Sequence, residues 1–66
     1  MRVYERVRKY MDLMGIAEVS LAEASGIPAA SLHDMLRGRE TMYADDLRAI
    51  CIALNVSADS FIGNPA

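Results

Sequence analysis

The sequence predicts an all-α fold, a compact bundle of five helices. Three observations carry this. Apolar residues recur at i, i+3, i+4 spacing in several separate stretches. Gly15, Gly26 and Gly38 stand between them, where helices end. No stretch carries a strand signal.

From Arg2 to Met14, the residues Val3, Val7, Tyr10 and Met14 form one apolar stripe, with Arg2, Arg6 and Lys9 on a separate basic stripe. Gly15 stops this helix, because glycine takes the left-handed C-terminal conformation without penalty, and Ile16 turns back to the core. A short second helix runs from Ala17 or Glu18 to Ser25. Glu18 near its start suits the helix dipole, and Leu21 and Ala22 form its buried face. In "SGIP", Gly26 permits a positive φ, Ile27 anchors inward, and Pro28 is tolerated at a helix start, where its missing N–H is not needed.

The third helix is expected over residues 28–37. Leu32, Met35 and Leu36 face in, while Ala29, Ala30, Ser31, His33, Asp34 and Arg37 lie outside or half outside. Asp45 and Asp46 occupy the first turn of a fourth helix that begins near Ala44; its stripe is Leu47, Ile50, Cys51 and Leu54, and Asn55 closes it in a left-handed cap. Ser57 caps a last turn over 58–62, from which Phe61 folds back on the core. One domain over 1–62 with a tail over 63–66 is expected.

At 66 residues the chain holds one domain. A domain this small buries only about 60% of its unfolded-chain surface, so its core is thin. One cysteine excludes an internal disulfide framework, and no apolar run is long enough to cross a membrane. The charged start "MRVYERVRKY" is unlike a signal peptide, so a reducing cytoplasm is the expected compartment. The net charge of −2 counts against a nucleic-acid partner, whose phosphates are bound by Lys and Arg. The distribution matters more than the sum: Arg2, Arg6, Arg8 and Lys9 crowd the first ten residues, and Arg37 and Arg39 flank Gly38.

The second and third helices, joined by a sharp glycine turn, have the layout of a helix-turn-helix, which presents the outer face of its second helix to a major groove. Ala22 is small where the third helix crosses it. The segment "LAEASGIPAASLHDMLRGRETMYADDLRAICIALNVSADSFI" resembles the lambda-repressor-like helix-turn-helix family, the phage-repressor and Cro-like transcriptional regulators. The matching features are "LAEASGI", the apolar pair Leu32 and Met35, the glycine of "LRGR", and "LRAICIALNVSADSFI"; the likeness covers about residues 15–62, and helix one fits in length and pattern.

The resemblance implies a sequence-specific, double-stranded-DNA-binding regulator of phage or prophage repressor type. It would act as a homodimer on a two-fold operator, with half-sites about one helical turn apart. It further implies base reading from Ala29, Ala30, Ser31, Asp34 and sometimes His33, with Pro28 beside them at the DNA, phosphate contacts from Arg37 and Arg39, a phosphate held at Glu18, and backbone contacts from the Thr41–Tyr43 loop. The sequence departs from the family here. Ala29 and Ala30 offer only methyls, which can pack on thymine methyls; Asp34 could accept from cytosine N4; and Glu18 replaces the usual glutamine and would repel phosphate unless paired. Specificity would then lean on DNA shape and phosphate geometry.

Each of these residues also has a plain structural reading. Arg37 and Arg39 suit a helix C-terminus as solvated cations, Ser31 as an exposed helix residue, and Asp45 and Asp46 as dipole partners. His33 has no His or Cys partner, so no metal site is expected. Cys51 reads as a small core hydrophobe, Met14 and Met35 as core, Met11 and Met42 as partly exposed. No nucleophile–base pair or phosphate-binding glycine loop is present, so no enzyme, cofactor or small-molecule substrate is expected. The alternative function is a protein-binding module on the same fold, such as an antirepressor or antitoxin-like partner; the acidity and the smooth "AAS" surface favour it.

Overall fold

The computed structural model describes residues Arg2 to Phe61. Backbone dihedrals, more than propensity, set the helix ends. Arg2 is extended and its N–H donates to Glu5 Oε1 at 2.8 Å, so α1 begins at Val3 and runs Val3–Met14. Helix α2 is Glu18–Ser25, α3 is Ala29–Met35 and α4 is Ala44–Leu54. A 3-10 turn, Ala58–Ser60, follows. Among the described residues there is no strand.

Two expected elements are shorter than the sequence suggests. The third helix does not span 28–37. Pro28 has ψ 137°, so it caps α3 from outside, and its carbonyl accepts from Leu32 N–H at 2.9 Å. At the other end the carbonyl of Asp34 accepts from the N–H groups of Arg37, Arg39 and Glu40, at 3.1, 2.9 and 3.3 Å, which pulls the chain out of the helix. The expected fifth helix is the single 3-10 turn, with Ser57 Oγ accepting from Asp59 N–H at 3.2 Å. The expected boundary at Ile62 and the tail 63–66 lie outside the described residues.

The core comprises Val7, Met11, Leu21, Ala22, Ile27, Leu32, Met35, Leu36, Ile50, Cys51 and Phe61, with Leu47, Leu54, Tyr10 and Ile16 half-buried around it. Helix α2 packs on both α3 and α4, so Leu21 and Ala22 lie at the centre. Phe61 returns to the core, its ring edge-to-face with Tyr10 at 5.6 Å between centroids. The two methionines of α1 exchange their expected places: Met11 is buried and Met14 exposed. Met11 stands one turn after Val7, on the same face, whereas Met14 is in the last turn, where Gly15 leads the chain away. Asn55, at φ 58°, is the left-handed cap expected of it. Asp46 does more than face the dipole: its Oδ2 accepts from Tyr43 N–H at 3.1 Å and so fixes the start of α4.

Candidate nucleic-acid interface

The turn between α2 and α3 is built from local bonds. Gly26 adopts φ 78° and donates to the Ala22 carbonyl at 2.9 Å; Ile27 N–H donates to Ser25 Oγ at 3.3 Å, and the Ile27 side chain is buried. With Leu32, Met35 and Leu36 held in the core, α3 turns its opposite side outward. Ala29, Ala30 and His33 are exposed; Ser31, Asp34 and Arg37 are half-buried. Pro28 is exposed at the head of the helix. The first turn thus offers methyl groups and the middle offers one carboxylate.

Three of the expected contact residues are engaged with one another. Glu18 Oε1 lies 3.0 Å from His33 Nδ1, and its Oε2 accepts from Arg37 Nη1 at 3.0 Å. Arg37 Nη1 also donates to the His33 carbonyl at 3.1 Å. This cluster joins the start of α2 to the end of α3. Partial burial alone would raise the Glu18 carboxyl, but hydrogen bonds and positive charge from Arg37 and His33 outweigh it and hold the group below the usual carboxylate range. The unpaired carboxylate that the sequence left facing an incoming phosphate is therefore paired.

Arg39 is differently placed. Its side chain is 69% exposed, and its nearest carboxylate, Asp34, lies 3.9 Å away, at the outer limit of an ion pair. The loop that carries it is met from two sides: by the Asp34 carbonyl and by α1, because Gly38 (φ 75°) lies against the hydroxyl end of the Tyr4 ring. Arg39, Thr41 and Arg2 line one cleft with Tyr4. Thr41 and Tyr43 are exposed, with Tyr43 also the cap of α4.

The cations of α1 do not act as one stripe. Arg6 and Lys9 line a cleft with Ser60 and Phe61, at the C-terminal turn. Arg2 faces the α3 exit beside Arg39, and Arg8 lines a cleft of about 120 Å³ with Glu18 and Arg37. Sequence reasoning missed Tyr4 and counted Arg8 only among the N-terminal cations, without placing it. The available signal was their i, i+4 spacing on one flank of α1, opposite the flank of Arg6 and Tyr10. It also missed a shallow groove lined by Val19, Glu23, Ile27, Pro28 and Ala29, beside the first turn of α3. Among the described residues no cluster of His, Cys, Asp or Glu could hold a metal ion, and no helix is long and apolar enough to cross a membrane.

The arrangement offers an outward helix with small side chains at its head, a carboxylate at its centre and a largely exposed guanidinium at its exit. A family model described as a Cro/C1-type HTH DNA-binding domain matches residues 6–62. Comparison with curated proteins gave no match, and comparison with solved structures gave none.

Proposed function

The chain belongs to the Cro/C1-type helix-turn-helix DNA-binding family, and from that premise we propose that it is a sequence-specific transcriptional repressor of phage or prophage type that lays α3 in the major groove of an operator. It binds in the cytoplasm as a homodimer on a two-fold site, half-sites about one helical turn apart. The observation that carries the reading is the free outer face of α3 with the exposed Arg39 at its exit. The methyls of Ala29 and Ala30 let the helix approach closely and pack on thymine methyls. Pro28, Ser31, His33 and Asp34 edge that approach. Arg39 and Arg2 take phosphates beside it, with the backbone of Thr41 and Tyr43. Glu18 and Arg37 flank the same surface.

Selection from a random duplex pool at modest salt tests this. A recovered site with two-fold symmetry, bound by two chains, is the expected result. Arg39→Ala should weaken binding to all sequences about equally and lower the salt slope by about one unit. A pool that never enriches would refute the proposal.

One observation favours a second reading. Between Glu18 and Glu40 four carboxylates (Glu18, Glu23, Asp34, Glu40) stand against two arginines, and the groove beside Pro28 and Ala29 has no cation in its lining. A protein helix could occupy such a surface, as in an antirepressor or antitoxin-like partner. Failure of DNA selection, together with a co-purifying partner displaced by Ala29→Glu, would favour it.

A further inference from the structure

Arg37 stands at the exit of the outward helix, where a cation meets a DNA backbone, yet its Nη1 is already spent. It donates to Glu18 Oε2 at 3.0 Å and to the His33 carbonyl at 3.1 Å. The side chain is two-thirds covered, and Glu18 is covered to the same degree. Arg39, two residues on, has no comparable partner. The two arginines that flank Gly38 are therefore not equivalent.

We propose that Glu18 is an affinity-setting residue: its carboxylate occupies Arg37 in place of a DNA phosphate and so withholds one backbone contact from the protein. The inference rests on the DNA-binding reading above. A phosphate that takes Arg37 Nη1 must displace a carboxylate that is already hydrogen-bonded, is held by a second contact to His33, and belongs to the same chain. An intramolecular competitor is present at high effective concentration and is not diluted away. Phosphate contacts supply the sequence-independent part of binding. Withholding one lowers affinity for all DNA and leaves a larger share of the remainder to the base-facing side of α3.

The test is a salt series on one fixed duplex for six proteins: wild type, Glu18→Gln, Glu18→Ala, Arg37→Ala, Arg39→Ala and the double variant of Glu18→Gln with Arg37→Ala. Glu18→Gln should steepen the slope by about 0.9, the value for one added phosphate contact. Between 50 and 200 mM salt its affinity should then fall roughly three- to fourfold further than that of the wild type. The same replacement made on Arg37→Ala should leave the slope where it was. Glu18→Ala, which removes the carboxylate by a different route, should repeat the gain, and circular dichroism checks that each variant keeps its helix content. If Glu18→Gln has the wild-type slope while Arg39→Ala lowers it, the inference is wrong and the DNA reading stands. If the gain persists without Arg37, simple charge removal explains it and the inference is again wrong. If neither wild type nor Glu18→Gln binds any duplex, both readings fall together.

Discussion

Replacing Gly38 by alanine probes the contact that holds the α3 exit. Gly38 has φ 75°, a left-handed conformation that costs an L-residue about 1–2 kcal/mol. The new Cβ would also lie 2.6 Å from Tyr4 Oη, 2.7 Å from Cζ and 3.2 Å from Cε2. Carbon atoms rest at about 3.5–4.0 Å, so the ring must retreat by roughly 1 Å. Forced displacement of this kind costs about 1–3 kcal/mol. The total for Gly38→Ala is roughly 2–5 kcal/mol, and each kcal/mol is worth about 4–8 °C in melting temperature for a domain of this size. The two causes separate in a double-mutant cycle with Tyr4→Leu, which keeps an apolar stem and lacks the far ring atoms. Urea unfolding followed by circular dichroism should then give only the backbone cost, about 1–2 kcal/mol, for Gly38→Ala on Tyr4→Leu. Equal costs in both backgrounds would refute the Tyr4 contact. No cost in either would refute the left-handed turn. Because the same turn aims Arg39, Gly38→Ala should also weaken DNA binding, measured well below its melting temperature.

Other outcomes follow from neighbouring features. Asp34→Asn should raise affinity for random DNA and relax preference at one base pair by about 1–3 kcal/mol; titrations against a selected site and its single-base variants measure this, and an unchanged profile removes Asp34 from the reading set. Glu18, held below its ordinary pKa of 4.5, contributes stability that is fully present above that pH and lost as pH falls through the lower folded value. Its partners are about a third or more exposed, so the contribution is about 0–1 kcal/mol, and acid unfolding of Glu18→Gln should show a correspondingly shallower loss over that window. Cys51 is buried, and burial pushes its thiol pKa up, so a thiol reagent at neutral pH should label the folded protein far more slowly than the urea-unfolded chain; equal rates would place Cys51 at the surface.

Much of the fold is local and therefore legible in the residues. The 3.6-residue period identified the inward faces of α2, α3 and α4, and Gly26, Gly38 and Asn55 occupy the positive-φ turns at which their stripes break. Met11 and Met14 show the limit of such reasoning. Both fit a helical period, and only the direction in which the chain leaves at Gly15 decides which is covered.

The α3 ends illustrate the same limit at closer range. Nothing in "PAASLHDMLRGRE" shows that the Asp34 carbonyl gathers three exit N–H groups, because a carbonyl's partners depend on where the following loop is carried. That path also brings Gly38 against the hydroxyl end of Tyr4, far away in the sequence.

By itself the sequence determined the helical class, the sharp turn between α2 and α3 and the small, uncharged head of the outward helix, since each follows from residue type and spacing within a few turns of chain. The tertiary structure alone decided how the charges are used. Glu18 meets Arg37 across 19 residues of chain, Arg8 joins their cleft while Arg6 faces the other way, and Arg39 is left exposed. Charge–charge partnership falls off with distance in space, so it is settled only when packing brings the helices together.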